Sequence, residues 1–117
     1  MSKPLVMQVL EGARALVEVR GTWTRFHLAL TRNNRDCEPT DAKAVRFCAY
    51  GALVRSAYNL TGDVEKANRL AGSAAIALTG RDTPHEAFGD IYTMNDGPAG
   101  PSRQAILDLF DRTLERV

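Results

Sequence analysis

The chain is poor in cysteine, has no long apolar run and carries no dominant charge. Two cysteines, Cys37 and Cys48, stand among 117 residues. Their number allows one disulfide, but in a reducing compartment two free thiols are the expectation. Cys48 falls in an apolar helical pattern, where a free cysteine behaves as a small hydrophobe. No apolar stretch approaches the ~20 residues needed to cross a bilayer. The start, Met1-Ser2-Lys3-Pro4, leads into an amphipathic pattern broken by Glu11 and Arg14. It lacks the apolar core and small-residue cleavage site of a secretion signal, so the cytoplasm is the expected compartment.

Net charge is +1, so no overall field draws the protein to nucleic acid or membrane. Also missing are a G-x-S-x-G elbow, a Walker-type phosphate loop, G-x-G-x-x-G and H-E-x-x-H. No catalytic residue, cofactor or metal is assigned on these grounds, and enzymatic activity is not the favoured expectation.

What is present suits one domain spanning residues 1–117, with 44% hydrophobic and 25% charged residues. There is no internal repeat and no low-complexity linker. Apolar residues recur at helical spacing in four main segments. The first, residues 4–20, places Leu5, Val9, Ala13, Leu16 and Val17 on one face, with Gly21 to end it. The second, residues 40–59 after Pro39, aligns Ala44, Val45, Cys48, Ala49, Ala52 and Leu53, and Phe47 and Gly51 widen the stripe. The third, residues 63–78, aligns Val64, Ala67, Leu70, Ala71, Ala74, Ala75 and Leu78 between a capping Asp63 and a closing Gly80. The last, residues 101–116, aligns Ile106, Leu109, Phe110, Thr113 and Leu114, with Val117 just beyond. Thr83-Pro84-His85-Glu86 has capping-box spacing and predicts a short helical turn through Phe88. The expected fold is all-α, a compact bundle of four main helices with irregular connections.

Two stretches resist assignment. Residues 21–38 read equally as strand (Phe26, Leu28, Leu30) or helix (Trp23, Phe26, His27, Leu30). Residues 89–100 read as an apolar approach, Ile91-Tyr92-Thr93-Met94, followed by a turn at Asn95-Asp96-Gly97-Pro98. Function is expected in these connections, because scaffold helices leave chemistry to loops. The candidate ligand-binding cluster is Trp23, Arg25 and His27 from the first, with Tyr92, Asn95 and Asp96 from the second. Asp96 could orient His27, and Asn95 could donate to a ligand. Against this, Asn95 and Asp96 could simply bond their own backbone and cap the turn, and Trp23 could be a core residue with its N–H satisfied.

Other constellations are weaker. His27, Cys37, Cys48 and His85 match no metal-ligand spacing. Cys37 lies between Asp36 and Glu38, an acidic setting that raises a thiol pKa, the wrong direction for a nucleophile. Helices two and three with their short turn resemble a helix-turn-helix, but Glu65, Lys66, Asn68 and Arg69 make a mixed surface rather than a basic one. Nucleic acid is therefore a disfavoured partner. Residues 1–35 carry six basic and two acidic groups, whereas residues 82–117 carry seven acidic and three basic ones. Either the two ends lie together and compensate, or they offer opposed surfaces for self-association.

Trp23, the segment Phe47-Cys48-Ala49-Tyr50-Gly51-Ala52-Leu53 and the triplet Met94-Asn95-Asp96 follow one another in a recognisable order. Together they resemble a family of small bacterial and bacteriophage proteins classed as a domain of unknown function, with a C-A-x-G-A-L helix and a W-N-D-like triplet. Methionine here replaces the triplet's tryptophan, so the resemblance implies no aromatic platform at residue 94. It implies a shared fold and carries no activity. The leading expectation is a non-enzymatic protein-interaction module, partnered by another protein or by itself. The alternative is a small-molecule-binding protein or minor hydrolase with a polar pocket, and a DNA-binding regulator comes third.

Overall fold

The computed structural model describes residues 4–19, 21–96 and 103–116. Arg20 as a helix end, the turn at Gly97 and Pro98, Pro101 as a helix start and Val117 lie outside these. Among the described residues there are five helices and a small sheet, in the order α1 (Leu5–Glu18), β1 (Ala29–Thr31), β2 (Asp36–Cys37), β3 (Ala44–Phe47), α2 (Ala49–Thr61), α3 (Val64–Thr79), α4 (Pro84–Asp96) and α5 (Arg103–Arg116). The protein is thus mainly helical, but four helices become five and an antiparallel sheet of order β2-β1-β3 is added.

The helical core follows the apolar spacing except at the helix starts, where Leu5 and Val64 are exposed. Val9, Ala13 and Val17 of α1 are buried, with Leu10 beside them. In α3, Ala67, Ala71, Ala74 and Ala75 are fully buried, and these short side chains let α1, α2, α4 and α5 all pack against it. Asp63 caps α3 by accepting from the Lys66 N–H at 2.9 Å, and Gly80 closes it in the left-handed conformation at φ 75°. At the α1–α2 crossing the Ser56 hydroxyl donates to the Val9 carbonyl at 2.9 Å over Gly12. The two chain ends do lie together, since α1 packs on α5. There Arg14 holds Asp111 by a two-pronged contact, Nε to Oδ1 at 2.5 Å and Nη2 to Oδ2 at 3.2 Å.

Two expectations are corrected. The helix expected over residues 40–59 begins only at Ala49, and its first part is β3, paired with β1. Cys48 ends the strand in an extended conformation (φ −75°, ψ 176°) and caps α2, its sulfur accepting from the Gly51 N–H at 3.3 Å. Ala44 and Phe47 therefore face the core from a strand, while Val45 is exposed. The second correction concerns residues 89–100: no turn interrupts at Asn95, because α4 runs unbroken to Asp96. Thr83 and Glu86 form the expected capping box, the Thr83 hydroxyl accepting from the Glu86 N–H at 3.2 Å and donating to its carboxylate at 3.0 Å. Ala87, Ile91 and Asn95 then make a buried stripe at i, i+4, i+8.

Residues 21–38 form strand and not helix, but only at Ala29–Thr31 and Asp36–Cys37. Of the alternating Phe26, Leu28 and Leu30, only Leu30 lies in a strand, and Phe26 and Leu28 lie in bends before it. Segment 22–24 lies along the outer side of β3, with the Thr24 N–H donating to the Phe47 carbonyl and the Phe47 N–H to the Thr22 carbonyl. That leaves β2 as the open edge. Gly51 shows how closely the sheet and α2 meet: a methyl there would run into the Leu28 carbonyl oxygen.

Candidate functional site

Asn95 is the junction on which the site is built. It is 1% exposed, and its side chain uses all four hydrogen-bonding capacities. The side-chain oxygen accepts from the Trp23 indole N–H at 2.8 Å and from the Ala49 N–H, in the first turn of α2, at 3.0 Å. The amide nitrogen donates to the Thr24 carbonyl at 3.1 Å and to Asp96 Oδ1 at 2.8 Å. One side chain thus joins the end of α4, the start of α2 and segment 22–24. Residues 21–38 and the end of α4 do meet, and Asn95 is the reason.

Asp96, next in line, fixes Phe26. Its Oδ1 accepts from the Phe26 N–H at 2.8 Å. Phe26 sits at φ 70°, a left-handed conformation that a bulky residue adopts only under constraint. Its ring is 63% exposed, with the Arg25 guanidinium 5.2 Å from the ring centre. Arg25 also donates to the Asn95 carbonyl at 3.2 Å.

Beyond Phe26 opens a cleft of about 580 Å³ between the sheet and α4. Phe26, Phe88 and Tyr92 supply aromatic walls, and Asp36, Glu38, Asp41 and Asp96 supply carboxylates; His27, Leu28, Cys37 and Cys48 complete it. Phe88 and Tyr92, one helical turn apart, stack at 6.1 Å, and Tyr50 meets Phe88 edge-on at 4.7 Å. Tyr92 is 49% exposed. Burial pushes the Tyr50 phenol above its ordinary pKa.

Of the residues singled out in the sequence, His27, Tyr92 and Asp96 line this cleft, whereas Trp23 and Asn95 stand behind it as its support. Asp96 does not orient His27. The imidazole Nδ1 lies 3.1 Å from Asp36 instead, because the hairpin folds β2 back beside His27. Phe26, Phe88, Asp36, Glu38 and Asp41 were not among the residues singled out as a site. The Asp36-Cys37-Glu38 run was legible as acidic, but Phe26 had no signal, since a positive φ leaves no trace in composition.

The thiols face the cleft without being activated. Desolvation, then Asp41, Asp36 and Glu38, push the Cys37 pKa up, with Arg55 opposing. Burial pushes Cys48 up to about 11. Cys37 and Phe47 flank Ala29 on opposite sides of β1. Two strand spacings therefore separate them, roughly 10 Å between Cα atoms, too far for a disulfide with the neighbouring Cys48. No hydrogen bond joins His27 to either thiol among the described residues, and no cluster of three or more His, Cys, Asp or Glu there could hold a metal ion. Nor is any described helix long and apolar enough to cross a membrane.

The molecule is therefore a small helical protein with a three-stranded sheet and an acidic, aromatic cleft between sheet and α4. The chain belongs to a family of unknown function, DUF6197, whose model matches residues 1–116. No curated protein and no solved structure matches it.

Proposed function

We propose that this protein is a non-enzymatic interaction module whose docking site is the cleft between the sheet and α4. The observation that carries the reading is Phe26. A phenylalanine held at positive φ by Asp96, 63% exposed and outside the buried core, sits in a conformation that costs stability. Such an expense is understandable where the ring contacts something outside the fold. Tyr92, half-exposed in the same cleft, supports the reading. So do the raised thiol pKa values, which make Cys37 and Cys48 poor nucleophiles and count against a hydrolase.

The Arg14–Asp111 pair within the chain compensates one of these opposed terminal charges, which makes the cleft a stronger ground for docking than the charge asymmetry. Two of the N-terminal arginines, Arg14 and Arg25, are engaged inside the fold, which lends the DNA-binding alternative less support.

The test is site-specific photocrosslinking in cells, with a benzophenone side chain placed at Tyr92 or, as control, at Glu65, an exposed residue of α3. Defined protein adducts from residue 92 and none from residue 65 would support the module. Adducts equally frequent at both sites, or none at residue 92, would sink it. A small molecule co-purifying in native mass spectrometry and lost on Tyr92→Ala would replace it with the small-molecule reading.

A further inference from the structure

We propose that the occupant of the cleft is an extended segment of a partner protein that inserts an arginine or lysine side chain between the aromatic walls. This rests on the docking reading above and adds the partner's chemistry.

Charge complementarity is the first argument. Four lining residues are carboxylates (Asp36, Glu38, Asp41 and Asp96), and none is lysine or arginine. Arg32, Arg35 and Lys43 line the adjoining cavity that shares Asp36, Cys37 and Asp41, not this cleft, and two further arginines are engaged within the fold. Arg55 donates to the carbonyls of Pro39 and Asp41 at 3.1 and 2.7 Å, and Arg25 lies on the Phe26 ring. His27 is the one titratable nitrogen in the lining, and it faces Asp36. The acids also act on a group inside the cleft: after desolvation, Asp41, Asp36 and Glu38 disfavour a Cys37 thiolate, with Arg55 opposing them.

The walls supply the second argument. A cation between carboxylates is weakly held in open water, but aromatic faces attract it as well and exclude solvent. Phe26 and Tyr92 offer exposed ring surface at the same cleft, one face of each being engaged within the fold, by Arg25 and by Phe88. A guanidinium is the better fit of the two cations, because it stacks flat on rings while donating to carboxylates in its plane.

The open strand edge supplies the third. The Thr31 N–H donates to the Arg35 carbonyl, and the register pairs Leu30 with Asp36 and Ala29 with Cys37. Antiparallel pairs alternate between bonded and non-bonded, so Asp36 is a non-bonded partner whose N–H and carbonyl turn outward. Asp36 therefore offers an extended segment a backbone bond at the margin of the cleft that its side chain lines.

The experiment titrates the full chain with a fluorescein-labelled acetyl-Gly-Val-Arg-Val-Gly-amide peptide, reading anisotropy and amide shifts by NMR. The matched peptide has citrulline, neutral and nearly isosteric, for arginine. Expected are shifts at Phe26, Asp36, Cys37 and Tyr92, with the citrulline peptide weaker by about tenfold. Asp41→Asn and Glu38→Gln, exposed changes whose folding the same spectra report, should each weaken binding by roughly threefold. Equal binding of the two peptides, or no shift in the cleft, overturns the cation. Free acetyl-arginine amide binding as tightly as the peptide overturns the extended segment. If residue 92 crosslinks to a protein while these peptides fail, the docking reading stands and this inference falls.

Discussion

The Trp23 indole donates to the Asn95 side chain at 2.8 Å across 72 positions of sequence. Asn95→Ala removes that acceptor and leaves the Trp23 and Ala49 N–H groups and the Thr24 carbonyl without their partner. A loss of about 3 kcal/mol is expected, measured by urea unfolding. Trp23→Phe keeps an aromatic ring but removes the donor and part of the indole's packing against the core, and should cost less, about 1–2 kcal/mol. Equal small losses for both would show that Asn95 is not the junction described.

Two glycines should respond with opposite signs. Gly51→Ala drives a methyl into the Leu28 carbonyl and should destabilise by about 3 kcal/mol. Gly89, exposed inside α4 with open space around it, should gain roughly 0.5–1 kcal/mol on substitution by alanine. Paired thermal melts of the two variants read the difference directly.

Phe26→Gly should raise stability by about 1 kcal/mol, because glycine adopts φ 70° freely. The same variant should lose crosslinking or peptide binding at the cleft. Stability falling with the substitution would mean that the ring contributes more to the fold than the strained backbone costs.

How much of this was legible depends on where each residue finds its partner. The α3 caps and the Thr83–Glu86 box were readable because they close over three or four residues. The strand β3 was not. Ala44 and Val45 happen to continue the spacing of Ala49 and Ala52, and the pairing that makes them a strand lies back in β1. The end of α4 was misread for a related reason. Asn95 and Asp96 have turn chemistry, but their partners are Trp23, Thr24 and Phe26, which no local pattern announces. The residues nominated for ligand binding divided along the same line. His27, Tyr92 and Asp96 line the cleft, and Trp23 and Asn95 hold it together.

Alkylation separates the thiols. Iodoacetamide near neutral pH should label half-buried Cys37 slowly and Cys48, with its pKa of about 11, only on unfolding. Mild oxidation should produce no internal Cys37–Cys48 bond, and peptide mapping under non-reducing conditions checks both points.

The Arg14–Asp111 pair predicts an acid-sensitive contribution. Its hydrogen bond to Arg14 holds the Asp111 carboxyl below its ordinary pKa. The stabilisation is therefore complete above the unfolded value, about 3.9, and is lost as pH falls through the lower folded one. The gap between wild type and Asp111→Asn should be constant from about pH 5 to 7 and close below about pH 4. A gap that persists at lower pH would assign the effect to something other than this charge.

The position of Asn95 also sets an order of assembly. A chain made from its N-terminus presents Trp23, the hairpin and the first turn of α2 long before residue 95 exists. Until then the Trp23 indole N–H and the Ala49 N–H have only water as partner, and the cleft lacks the wall that α4 provides. Synthesis must pass α4 before either is resolved, so the cleft comes into being with the closing of the fold and not before it.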